Sequence, residues 1–166
     1  RIRQAGMAAV SECSAGRGSG VSKYVKEMWR RAEEALKTAE VDIQVSPDAC
    51  ASRAYYAAFY AVSALFARED REFTKHTAVR AAVHRDLVKA GRWPVSAGQD
   101  YSFLYQLRQT GDYGGAQHVS HAEAREALQA AERILRLARG ALGGSTDETP
   151  TSQEEWEGEE GAPDND

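Results

Sequence analysis

The chain is poor in the residues that staple or stiffen small proteins, with two cysteines and four prolines in 166 residues. Cys13 and Cys50 are too few and too differently placed for a disulfide framework or a cysteine-based zinc site. Scarce proline leaves long stretches free to form helix. No uninterrupted apolar run approaches the roughly 20 residues that cross a bilayer, so no membrane association is expected. Arg1 and Arg3 are followed by no apolar segment of a secretory signal, and the bacterial or archaeal cytoplasm is the default expectation. Gly16-Arg-Gly-Ser-Gly20 lacks the lysine and the preceding strand of a phosphate-binding loop. No nucleophile, histidine and acid fall in a catalytic order. His76 and His84 are about 12 Å apart along a helix axis, and His118 and His121 have no Cys or well-spaced acid beside them. No metal and no cofactor is therefore expected.

Charge is unevenly spread. Residues 147–166 hold nine of the 25 acids and none of the 21 Lys and Arg, so residues 1–146 carry a formal +5. A mildly basic body with an acidic tail admits a polyanionic partner without demanding one. The Gly-, Ser- and Ala-rich residues 1–20 read as a flexible leader, residues 21–142 as one helical domain, and residues 143–166 as a disordered acidic tail.

The helical domain is organised around Cys50–Phe66, which is apolar almost all the way round and broken mainly by Ser52, Arg53 and Ser63. Such a helix is buried on several sides, at the centre of a bundle or at a subunit contact. Ser46-Pro47-Asp48 supplies its start: a capping hydroxyl, proline in the first turn and an early acid. Periodicity places the first helix over about Ser22–Val41, with a stripe from Val25 through Met28, Trp29, Ala32 and Leu36 to Ala39. A third helix is expected from a Thr74 cap to Gly91, a left-handed stop followed by Pro94. A fourth is expected from Ala97 to about Thr110, stopped by Gly111. A fifth opens on Ser120-His-Ala-Glu123, which matches a capping box. Five helices on short loops predict an all-α, antiparallel up-and-down bundle. The alanine-rich central helix also predicts a homodimer.

Several of these stretches together resemble the HEPN domain family. They are Trp29-Arg-Arg-Ala-Glu-Glu-Ala-Leu36, Ser52-Arg-Ala-Tyr-Tyr-Ala-Ala-Phe-Tyr60, Lys75-His76, Leu87-Val-Lys-Ala-Gly91 and Leu107-Arg-Gln-Thr-Gly-Asp-Tyr113. Ala122, Glu123 and Ala130-Ala-Glu132 follow in the same order. The resemblance covers about residues 22–140, and its specific parts are the Arg53–Tyr56 and Arg108–Tyr113 segments. It implies a helical homodimer and a partner protein, a minimal nucleotidyltransferase, in a two-gene toxin–antitoxin system. It also implies binding of RNA or a nucleotide. Many members are metal-independent endoribonucleases whose signature is an Arg followed, after four to six residues, by His.

Arg108 matches that arginine, but a four-residue gap leads to Tyr113, and nine residues separate His118 from Arg108. Imidazole moves protons near neutral pH, whereas a phenol with a reference pKa of about 10 is a poor base there. Arg108 and Tyr113 thus suit phosphate binding and base stacking better than turnover. The resemblance also marks Tyr113 as a candidate for modification by the nucleotidyltransferase. The residues expected at a nucleotide or RNA site are Arg53, Tyr56, His76, Arg108, Asp112 and Tyr113, with Arg108 and Tyr113 the catalytic candidates. Against this stands the plainer reading that Arg53 forms a structural ion pair with Asp112 or Glu132, and that Tyr55, Tyr56 and Tyr60 are core or interface. A ligand-free scaffolding dimer is the third reading.

Overall fold

A computed structural model describes residues 15–143. These residues form a five-helix bundle without strands: α1 (Ala15–Asp42), α2 (Pro47–Arg68), α3 (His76–Ala82), α4 (Val95–Tyr113) and α5 (His121–Ala141). A π-helical segment, Val83–Val88, continues α3 without a break. Residues 15–20 of the expected leader belong to α1, which begins seven positions before Ser22. Residues 1–14 and 144–166, with nearly all of the expected tail, lie outside the described residues.

Helix α2 is the centre, touching α1, α3, α4 and α5. Ala51, Ala54, Ala57, Ala58, Ala61, Ala64 and Ala67 are all buried along it, together with Tyr55, Val62, Leu65 and Phe66. Methyl side chains let neighbouring backbones approach closely, and burial of the larger ones supplies the apolar driving force. The start read from sequence is present: Ser46 Oγ accepts from the Ala49 amide at 3.3 Å, ahead of Pro47. Helix α1 lays Met28, Ala32, Ala35 and Ala39 on the core, and α5 contributes Ala124, Ala127, Ala131, Ile134 and Ala138. The capping box at Ser120 and Glu123 is complete in both directions.

Two expected boundaries fall elsewhere. Thr74 does not cap the third helix; Lys75 holds the cap position and no side chain bonds the freed amides. Gly111 does not stop α4, which runs on to Tyr113. A Cβ at Gly111 would lie 2.9 Å from the Asp48 carbonyl oxygen, so this glycine serves a close crossing of α4 over the first turn of α2. Gly91 does take the left-handed conformation expected of it, with φ of 72°.

Two polar links fix the ends of α4. The Asp48 carboxylate accepts from the Val119 amide at 2.7 Å and is hydrogen-bonded to His118 Nδ1 at 2.8 Å, tying the loop after α4 to the start of α2. Near its other end, Asp100 takes a two-pronged pair of bonds from Arg133 of α5, both 2.8 Å. The fold thereby holds the C-terminal turn of α4 against the start of α2 and its first half against α5.

Candidate nucleotide and RNA site

Five of the six residues expected at the site come together where α2, α3 and α4 meet. Arg108 is at the centre, its side chain only 11% exposed. Its Nε donates to Asp112 one turn later at 3.1 Å. The guanidinium carbon lies 5.5 Å from the Tyr55 ring centre, 5.6 Å from Tyr56 and 5.8 Å from Tyr113. These are cation–π distances, and the three rings frame the cation as a shallow aromatic tray. Among the described residues the two Nη groups have no hydrogen-bond partner. Burial works against the charge of Arg108, but Tyr56 and then Asp112 outweigh it and the pKa is raised. The cation is permanent.

His76, at the start of α3, enters the same tray. Its ring centre is 4.5 Å from Phe59, 5.6 Å from Tyr55 and 5.8 Å from Tyr56. Nδ1 and the Tyr55 hydroxyl are hydrogen-bonded at 2.9 Å. Burial first, and the Arg108 charge second, lower the pKa of His76 below its ordinary value. Tyr55 is buried completely and its phenol is pushed up to about 12, mainly by that burial. The hydroxyl therefore stays protonated and the imidazole stays neutral at pH 7. Tyr113 stands at the rim, 72% exposed.

Arg53 is placed differently. It lies on the exposed side of α2, with no ion pair or hydrogen bond among the described residues. Neither expected pairing forms: Asp112 is taken by Arg108, and Glu132 lies 3.9 Å from Arg136. A solvated arginine needs no partner.

Sequence reasoning put Tyr55 in the core and missed that its hydroxyl orients His76. Arg80 stacks its guanidinium 5.0 Å from Tyr105, the next ring beside Tyr55. The adjacent pair Tyr55-Tyr56 was the available signal, since neighbouring helix positions turn one ring inward and the other toward the edge. His76, Arg80 and His84, spaced four positions apart, meet three different partners, His84 Nε2 and Ser102 Oγ being 2.8 Å apart.

A groove of about 520 Å³ lies elsewhere, between α1 and α5, over Leu36 and Leu135. Two of its charges are paired across it: Glu33 accepts from Trp29 at 2.9 Å and from Arg139 at 2.6 Å. The tray at Arg108 has both Nη groups without a partner among the described residues, and it is the better candidate for an anionic ligand.

A family model described as "HEPN domain" matches residues 25–141. A UPF0332 protein of Thermotoga maritima is 40% identical over 90 residues, covering 53% of this chain and 68% of the relative. A UPF0332 protein of Gloeobacter violaceus is 29% identical over 115 residues, covering 68% and 91%. A protein of Methanocaldococcus jannaschii bearing the name "Putative toxin" is 26% identical over 137 residues, covering 76% and 93%.

Proposed function

The chain belongs to the HEPN domain family, and from that premise we propose that it is an RNA- or nucleotide-binding module of a two-gene toxin–antitoxin system with a minimal nucleotidyltransferase. The observation that carries the binding reading is Arg108: a permanent cation with both Nη groups free, framed by three tyrosine rings. A guanidinium of this kind grips a phosphate through two parallel bonds, and the exposed Tyr113 ring offers a stacking face for a base. Asp112 orients the guanidinium from behind through Nε and leaves the Nη edge for the ligand. The formal +5 of residues 1–146 supports the approach of a polyanion.

The test is fluorescence anisotropy with a labelled single-stranded RNA. Arg108→Ala is expected to weaken binding by about tenfold or more, and Arg108→Lys to recover only part, because lysine cannot bond in two prongs. Equal affinity of all three proteins would refute the reading.

The name of the Methanocaldococcus relative supports the toxin–antitoxin setting. In that setting Tyr113 is the acceptor for a nucleotidyl group, being the exposed phenol beside Arg108. Co-expression with a minimal nucleotidyltransferase should add nucleotide mass that Tyr113→Phe abolishes; an unchanged intact mass would remove this part. A second copy of the chain would cover the half-buried edge formed by Tyr56, Phe59 and Tyr60 of α2. A monomeric mass in light scattering would rule the homodimer out.

A further inference from the structure

We propose that the acidic segment Glu154-Glu155-Trp156-Glu157 of the chain's own C-terminal region docks on the Arg108 tray and competes there with RNA. The contact stands on the tray alone, whereas its consequence for RNA rests on the binding reading above.

The tray lacks an acceptor. Arg108 is a permanent cation whose side chain is 11% exposed, and its two Nη groups have no partner among the described residues. Little water reaches those donors, and a charged donor left unpaired is costly. Asp112 takes Nε at 3.1 Å, so the Nη edge is the one open to a second carboxylate. Carboxylate and phosphate fit a guanidinium edge in the same two-pronged way. Tyr56 is half-buried beside the cation and Tyr113 is 72% exposed at the rim, so a flat ring arriving with the anion finds aromatic faces. Arg53 stands three positions before Tyr56, on the same side of α2, and Lys75 stands beside His76. Both are exposed and make no ion pair among the described residues. They widen the positive surface around the tray.

The same chain holds a matching occupant. Residues 144–166 lie outside the described residues, and their sequence has nine acids, no Lys or Arg and a single aromatic, Trp156. Glu154, Glu155 and Glu157 flank that ring. One short stretch thus offers carboxylates to the guanidinium and an indole to the tyrosines, the pairing of anion and flat ring that a nucleotide brings. The distance can be spanned. Arg133, eight residues before Ala141, is bonded to Asp100, and Arg108 is eight residues beyond Asp100. At the rise of an α-helix, the tray therefore lies about 24 Å along the bundle from the end of α5. The twelve residues from Gly143 to Glu155 reach up to about 40 Å, which leaves about 30 Å for passage round the bundle. Tethering sets the local concentration of the segment near the millimolar range, so even a weak contact is occupied. The groove between α1 and α5 is nearer but fits worse. Lys37, Arg136 and Arg139 on its walls are matched by Glu33, Glu40 and Glu132, and Arg139 is already bonded to Glu33 at 2.6 Å.

A photoreactive benzoylphenylalanine placed at Trp156 of the full chain reads the contact without RNA. Irradiation should join it, within one chain, to peptides of α2 and α4 that contain Tyr56 or Tyr113. Arg108→Ala should lower the yield of that product at least about threefold. In anisotropy with single-stranded RNA, the combined Glu154→Gln, Glu155→Gln and Glu157→Gln variant should bind at least about threefold tighter than the native chain. The combined Glu159→Gln, Glu160→Gln and Asp164→Asn variant removes the same charge outside the segment and should change affinity less than about twofold. Cross-links without tray peptides, a product joining two chains, or a yield unchanged by Arg108→Ala overturns the docking. Equal RNA affinity of the two triple variants overturns the competition. RNA bound by none of these proteins overturns the RNA-binding reading and the competition with it, while the cross-links still decide the docking.

Discussion

Replacing Gly111 by alanine sets two known effects against each other. Alanine in place of a helical glycine is worth up to about 1 kcal/mol through backbone entropy and helix propensity. At Gly111 the added Cβ would stand 2.9 Å from the Asp48 carbonyl oxygen and 3.4 Å from that residue's Cα and carbonyl carbon. Those atoms are backbone in the first turn of α2 and have no flexible end to move aside. They also belong to the residue whose carboxylate holds Val119 and His118, so a shift would loosen the loop after α4 as well. Forced overpacking of this kind typically costs about 1–3 kcal/mol, which outweighs the helix gain. Gly111→Ala should therefore be less stable than the native chain by about 1–2 kcal/mol, a fall in Tm of roughly 3–8 °C for a domain of this size. Gly140 is the internal control. It lies in the last turn of α5 with nothing within 4 Å of a Cβ. Gly140→Ala should gain up to about 1 kcal/mol. Urea and thermal melts of both variants read the contrast directly. If Gly111→Ala matched or exceeded the native stability, the close crossing of α4 over α2 would be wrong. Arg108, Asp112 and Tyr113 flank this crossing, so the same variant should also bind RNA more weakly.

Asp48 carries an acid-sensitive contribution to stability. Its bond from the Val119 amide, followed by the His118 contact, lowers its pKa below the ordinary 3.8, despite opposing burial. A carboxylate whose folded pKa is depressed stabilises the fold above its unfolded value and loses that contribution as pH falls through the folded value. Asp48→Asn should thus be destabilised by about 1–2 kcal/mol at pH 7, with the gap to the native chain closing as pH drops below about 4 in urea melts; a constant gap across that range would refute the assignment. Cys50 is fully buried with its thiol pushed up to about 11, first by burial, so it should resist a thiol reagent at pH 8 in the folded state. In a Cys13→Ser background, labelling should begin only as urea unfolds the chain, and rapid native labelling would contradict that burial.

The parts of the fold legible in sequence were those written locally. Ser46-Pro47-Asp48 and Ser120 with Glu123 state helix starts within four residues, and both occur as written. Gly111 misled because its chemistry reads as a stop, whereas its role is a tertiary contact with a residue 63 positions earlier. The site divides in the same way. Arg108, Asp112 and Tyr113 fall within one helical turn and a half, so their neighbourhood could be read directly. His76 comes beside the two rings that frame Arg108 only because α3 folds back over Tyr55 and Tyr56, which no spacing along the chain encodes. Arg53 went the other way: its place in an apolar stretch suggested a buried partner, but the helix turns that position to solvent.

The seven buried alanines of α2 have a consequence for how this protein tolerates change. A methyl group has almost nothing to lose, so truncation along the centre of the bundle leaves hardly any void. Enlargement has no such latitude, because α1, α4 and α5 already press on that helix. Substitution at Ala54, Ala57, Ala58 or Ala61 is therefore a one-sided risk: a step to glycine costs helix propensity alone, whereas a step to valine or leucine pries neighbouring helices apart. Tolerance for larger side chains is therefore confined to positions off this axis.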